Sequence, residues 1–236
     1  MKNVYYLAKK DFFQYFIKPA TISWGIIFPI VFAMAFVVRG RDINFLAPGL
    51  IAIASFFGAT SMASTSITFE RRFKEFERLI LAPLSYWEIV MGKVVGSLVF
   101  GLFVSLITTF ITLPFLGIQV GNPLLLTVAC ILTSIAFSSI GVFIALIIKD
   151  PRNIMIVVNS IRLPMIFLSG VFIPLSASPT ILQYISLLMP LTYAVELLRY
   201  SFTYNAFIPI EISLVAIFVW FFIFLVLAVA SLKHKY

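Results

Sequence analysis

The sequence predicts an all-α membrane protein that crosses a bilayer several times, and three observations carry that prediction. Apolar residues make up 62% of the 236-residue chain and charged residues only 11%, against roughly half and a quarter in a soluble domain. The apolar residues fall into runs of about 20 or more, the length a helix needs to cross a hydrocarbon core about 30 Å thick. Basic residues cluster between those runs rather than inside them.

Six stretches qualify as spans: residues 20–38, 45–69, 86–116, 124–148, 154–173 and 209–232. Several exceed the minimum, which predicts tilt or extension beyond the bilayer. With both termini on one side, that side collects Lys2, Lys9, Lys10, Lys18, Arg71, Arg72, Lys74, Arg78, Lys93, Lys149, Arg152, Lys233 and Lys235. The other side keeps Arg39, Arg41 and Arg199, and Arg162 lies within the fifth stretch. By the positive-inside rule the termini are then cytoplasmic and the protein is a multi-pass protein of the cell membrane. The chain reads as a single membrane domain over 1–236. Its first apolar run begins near Ala20, behind Lys9, Lys10, Asp11 and Lys18, and so reads as a retained span rather than a cleaved signal.

Residues 1–18 predict an interfacial helix. At 100° per residue Asn3, Lys10, Asp11, Gln14 and Lys18 share one arc, and Val4, Tyr5, Ala8, Phe12, Tyr15 and Phe16 another. Between the second and third spans, residues 70–83 read as a charged amphipathic helix ended by Pro83. Phe73, Phe76, Leu79 and Ile80 recur at helical spacing on its apolar face. Glu70 with Lys74, and Arg71 with Glu75, sit four apart and are expected to pair along the polar side. Periodicity alone leaves two readings of this segment open, a surface helix or a docking element for a soluble partner. Ser85 then predicts a capping box with Glu88, and Tyr86 and Trp87 suit an aromatic belt at the start of the third span.

In the second and fourth spans, Ser55, Ala59 and Ala63, then Ser134 with Ser138 and Gly141 with Ala145, repeat at intervals of four and predict close helix contact. Asp150 and Pro151 predict an N-cap and first helical position for the fifth span. Within that span Asn159, Arg162 and Pro164 stand out. An ionisable group at depth is a functional candidate, and Arg162 lies about 12 Å in from the span's start, near enough to snorkel. Residues 174–207 are too apolar for a watery loop and are broken by Pro174, Pro179 and Pro190. Two short helices that dip into the outer leaflet and return fit best, with protein covering their irregular backbone.

The formal charge of +8 follows span ends and forms no stripe, which argues against nucleic acid. Cys130 is the single cysteine and lies in an apolar run, so no disulfide or thiolate metal site forms within the chain. His234 is the single histidine, the third residue from the end. No phosphate-cradling G-x-x-x-x-G-K-[ST] loop is present, so the chain is not expected to bind ATP itself. No internal repeat supports an inverted-repeat transporter.

Glu70 through Lys93, with Glu77-Arg78-Leu79, Pro83 and Gly92-Lys93, resembles the loop after the second span in type-2 export permeases of the ATP-binding cassette (ABC) superfamily. The run from Leu163 to Pro174, containing Pro164, Ser169 and Gly170, resembles a second part of that pattern. A third is Pro190-Leu191-Thr192-Tyr193-Ala194-Val195-Glu196-Leu197-Leu198-Arg199. In order and spacing these cover essentially the whole chain.

The resemblance implies a permease that pairs with a second permease, as a homodimer or otherwise, and docks cytoplasmic ABC ATPase subunits that hold ATP and Mg. It makes 70–82 a coupling helix, with Glu70, Arg71, Phe73, Glu75, Phe76, Glu77, Arg78 and Leu79 as its contact residues. It makes 174–207 the re-entrant closure of the pathway. Asn159, Arg162, Pro164, Ser169, Gly170, Glu196 and Arg199 are the candidates for the translocation path, although Arg162 is not part of the family pattern. Cargo in such a family ranges over drugs, lipids and lipid-linked glycans. A membrane-embedded enzyme, or a non-transporting sensor or immunity protein, is the competing reading.

Overall fold

The computed structural model describes residues 2–38 and 43–235. Arg39 and Arg41, expected at the far side of the membrane, lie outside the described residues. Among the described residues every regular element is helical.

Helix α1 (Lys2–Tyr15) runs at 89° to the helix that follows Pro19, as expected of a helix lying on a surface before a span. Pro19 opens α2 (Pro19–Ile22) at a position where its missing N–H costs nothing. A single π-helical turn (Ser23–Ile27) carries it into α3 (Phe28–Val38). Then come α4 (Ile43–Arg72), α5 (Glu75–Leu81), α6 (Tyr86–Leu116), α7 (Pro123–Ile147), α8 (Ile154–Leu168), α9 (Thr180–Leu187), α10 (Pro190–Thr203) and α11 (Ile210–Lys235). Helices α4, α6, α7 and α11 are each long and apolar enough to span. The two bent pairs, α1 with the helix after Pro19 and α9 with α10, bring the count to six if each is one span.

The fifth expected stretch, 154–173, is helical only to Leu168, about 22 Å at 1.5 Å per residue. It stops because Gly170 takes the left-handed conformation (φ 73°) that closes helices. At its start Asp150 accepts from the backbone N–H of Arg152 at 2.9 Å, and Pro151–Asn153 form a 3-10 turn. The Arg152 side chain and N–H hold the Asp150 carboxyl below the usual carboxylate range.

Helix α4 is the axis of the bundle, with nearly every side chain between Leu46 and Phe69 buried. Its small residues explain how. Ser55 Oγ lies 2.8 Å from Ser134 Oγ across α7. A Cβ on Gly141 would stand 2.8 Å from the Thr60 Cα and 3.0 Å from the Ala63 Cβ, so this approach requires glycine. Helix α11, by contrast, leaves Val215, Val219, Phe222 and Val226 exposed along one stripe, the surface that lipid solvates.

Helices α9 and α10 meet at 95° across Leu188 and Met189. Their free backbone groups are satisfied internally, as apolar surroundings demand. Thr192 Oγ1 donates to the Ser186 carbonyl at 2.6 Å, and Tyr193 to that of Leu187 at 2.6 Å. At the far end of α10, the carbonyls of Phe202 and Ser201 accept from the N–H groups of Gly121 and Asn122.

Candidate functional site

Two groups of polar residues stand out from this apolar bundle. The first lies at its basic end. Glu70, in the last turn of α4, is fully buried. The spacing pairs it with Lys74; in the fold it meets Lys10 of α1 at 2.8 Å and Lys93 of α6 at 2.5 Å instead. Lys93 Nζ also lies 2.8 and 3.0 Å from the two Asp11 carboxylate oxygens. Lys93, Asp11 and Glu70 are each exposed by 2% or less, and Lys10 covers the cluster from solvent. Two cations and two anions balance, as buried charges must.

A close approach makes this possible. A Cβ on Gly92 would stand 2.7 Å from the Leu7 Cβ, so α1 lies directly on the face of α6 that carries Lys93. Glu75 extends the cluster toward α5, 3.6 Å from Lys10 and within hydrogen-bond reach of Gln14 and Tyr15.

The single helix expected over 70–83 is interrupted. Helix α4 runs on through Arg72, Lys74 turns left-handed (φ 59°), and α5 starts anew at Glu75. The break separates the two phenylalanines expected on one face. Phe76 is buried at 1% exposure, its ring 5.3 Å beneath the Arg71 guanidinium, while Phe73 stands 64% exposed. Leu79 is half-buried against the core, and Glu77, Arg78 and Leu81 face outward. Arg71, expected to pair with Glu75, reaches the carbonyls of Ala145, Leu146 and Ile148 at the end of α7. The predicted capping box forms: Ser85 Oγ accepts from the Glu88 N–H at 3.2 Å and Glu88 Oε2 from the Ser85 N–H at 3.0 Å.

The second group lies along α8 and beyond. Arg162 points inward rather than snorkelling and is fully buried. It donates to Thr60 Oγ1 (2.8 Å), Ser61 Oγ (3.0 Å) and Asn159 Oδ1 (2.9 Å), with its guanidinium 4.6 Å over Phe57. All three acceptors are neutral. Pro164 lies exposed two residues further along. Past the end of α8, Arg199 pairs with Glu196, donates to the Gly170 carbonyl at 2.9 Å and stacks 4.2 Å over Phe45. Glu196 accepts in turn from the Phe207 N–H at 2.6 Å. Beside them opens a cavity of about 650 Å³ lined by Phe45, Ser176, Arg199, Thr203 and Phe207 among others. Ser169 is buried with its hydroxyl unpartnered. Thus Gly170, Glu196 and Arg199 come together, as do Asn159 and Arg162, but the structure forms two sites from them, not one.

Sequence reasoning missed Lys10 and Lys93 as partners of Glu70, and Asp11 as the second anion on Lys93. The signal was present: Lys93 is a lone cation two turns into an apolar run, where an ionisable residue requires a partner.

The profile of the ABC-2 type transporter family matches residues 2–203, a stretch that includes the charged residues of both groups. The chain belongs to the ABC-2 type transporter family. The inner membrane transport permease YadH of Escherichia coli K12 is 30% identical over 159 residues, covering 67% of this chain and 62% of that protein. The putative transport permease ycf38 of Cyanophora paradoxa is 27% identical over 224 residues, 88% of this chain and 77% of the relative. The probable multidrug ABC transporter permease YbhR of E. coli K12 is 25% identical over 171 residues, 70% and 45% respectively. The chain therefore spans less than two thirds of the YadH and YbhR permeases it resembles. Family membership and the long apolar helices together make it a membrane-embedded chain of that family.

Proposed function

We propose that this ABC-2 permease is the membrane-spanning half of an ATP-driven exporter of amphipathic or hydrophobic cargo. It works as a dimer or with a second permease, and a separate cytoplasmic ATPase supplies ATP and Mg. The observation that carries the reading is the buried cluster of Lys10, Asp11, Glu70 and Lys93. It joins the interfacial helix, the end of α4 and the base of α6 directly beside α5. A partner pushing on Phe73 and the exposed face of α5 (Glu77, Arg78, Leu81) would move three elements as one body, because separating any pair would strand a buried charge. That is what coupling a soluble motor to spans requires.

The basic end is then cytoplasmic and both termini lie inside. The α9–α10 pair and its Glu196–Arg199 contact close the outer end. The name of the YbhR relative supports a drug-like cargo. Reconstitution tests the reading: the purified chain alone should turn over no nucleotide, and turnover should appear when its ATPase is added. Labelling single cysteines in a Cys130→Ser background should place both termini inside. Nucleotide turnover by ATPase-free chain, or a C-terminus labelled from outside, would refute it.

A further inference from the structure

At the basic end, three helices converge on one place that the cluster above does not use. The last carbonyls of α7 have no partner within their own helix. Arg71, from the end of α4, donates to Leu146 and Ile148 at 3.0 and 2.7 Å. Lys235, from the end of α11, reaches the same two carbonyls at 3.1 and 3.4 Å. Two cations thus crowd onto the same pair of oxygens. Beside them opens a cavity of about 200 Å³, lined by Arg71, Phe76, Glu77, Lys149, Pro151 and Lys235. Lys149 contacts no carboxylate among the described residues.

Among the described residues the charges lining this hollow do not balance: Arg71, Lys149 and Lys235 stand against one carboxylate, Glu77, and the C-terminal ends of α4, α7 and α11 offset only part of that surplus. The spans of α4, α7 and α11 all end here, so the hollow sits where lipid headgroups lie. We propose that this cavity is a binding site for a phosphate-bearing anion, supplied by the headgroup of an anionic lipid. The phosphate would sit between Lys149 and Lys235, with Pro151 and Phe76 forming apolar walls. Because the site adjoins Phe76 and α5, its occupant would brace the segment on which the ATPase is proposed to act. The site itself rests only on the membrane placement of the chain.

Native mass spectrometry and thermal melting of the purified chain in neutral detergent test this, with phosphatidylglycerol, phosphatidylcholine or inorganic phosphate added. Phosphatidylglycerol should be retained and should raise the melting temperature, and phosphatidylcholine should do neither. At about one interaction of surface strength per cation, Lys149→Gln should weaken retention about fivefold and Lys149→Glu about thirtyfold. Neither substitution touches a fold contact, whereas Lys235→Gln also uncaps α7 and serves only as a second reading. Protection by inorganic phosphate alone would support the anion site and assign it to a soluble source. Equal effects of the two lipids, or a Lys149→Glu variant that retains phosphatidylglycerol like the wild type, would overturn it. Loss of ATPase capture by Lys149→Glu with lipid retention intact would also overturn it, by giving the cavity to a protein carboxylate.

Discussion

Lys93 of α6 and Glu70 of α4 face each other at 2.5 Å where neither side chain reaches water. A buried pair of this kind contributes little to stability against an apolar alternative, but breaking it from one side is costly. Its value lies in what it ties together: the helix that carries Glu70 leads directly into α5, and Lys93 also holds Asp11 of α1.

Replacing Lys93 by Met should therefore destabilise the chain by about 3–5 kcal/mol, because Asp11 and Glu70 stay buried with their main cation gone. Adding Asp11→Leu and Glu70→Leu should recover much of that loss, since the stranded charges go too. Thermal melting in detergent measures both steps. Protease cleavage after Lys9 or Lys10 should rise in the single variant as α1 detaches. A single variant that melts with the wild type would show that α1 is held by its apolar contacts alone.

The two phenylalanines of the proposed coupling segment should separate cleanly. Phe76→Ala opens a cavity beneath Arg71 and should cost about 3–5 kcal/mol of fold stability. Phe73 is 64% exposed, so Phe73→Ala should change melting by no more than about 0.5 kcal/mol. If Phe73 is an anchor in an ATPase groove, its loss should weaken capture of that subunit by about 2 kcal/mol, roughly thirtyfold. A pull-down with each single variant reads this. Normal capture by Phe73→Ala would move the docking surface to the Glu77, Arg78 and Leu81 side of α5.

Arg162 should reverse the usual ranking of substitutions. Its guanidinium meets only neutral oxygens and the face of Phe57. Arg162→Met removes an uncompensated charge and keeps much of the volume, so melting should fall by no more than about 1 kcal/mol. Arg162→Lys keeps the charge but cannot reproduce the planar fork or the stacking, and should be the less stable of the two. The opposite order would mean that an anion reaches the site, from cargo or from a second subunit. In complex with the ATPase, loss of nucleotide turnover by Arg162→Met despite intact melting would give Arg162 a part in the transport cycle.

Much of this architecture was legible because lipid imposes simple rules. Run length located α4, α6, α7 and α11, the prolines broke 174–207 where α9 and α10 part, and Ser85 with Glu88 announced its own cap. What escaped was whatever depends on partners distant in sequence. Helical spacing offered Glu70 a neighbour in Lys74, but an exposed pair on one helix is weak, whereas Lys10 and Lys93 satisfy a carboxylate that packing has already buried. The break at Lys74 escaped for the same reason: a left-handed lysine is disfavoured locally and is held by Phe76 packing beneath Arg71.

The contact between α4 and α7 gives the last prediction, because two glycines separate packing from backbone strain. Gly141 sits mid-helix, where alanine is intrinsically favoured by about 1 kcal/mol. Yet its new methyl would stand 2.8 Å from the Thr60 Cα, a main-chain atom that cannot swing aside. The helices must part, and the strain should turn Gly141→Ala into a loss of about 1–3 kcal/mol. Parting them would also stretch the Ser55–Ser134 contact and shift Thr60 under Arg162, so transport should suffer beyond the change in melting. Gly117 is the control. It ends α6 at φ 61° with nothing within 4 Å of where a methyl would stand, so Gly117→Ala meets no neighbour and should lose only the local strain of a left-handed alanine, about 1 kcal/mol. Melting curves of the two variants decide the matter. A Gly141→Ala protein at least as stable as the wild type would mean that α4 and α7 sit further apart than this packing requires.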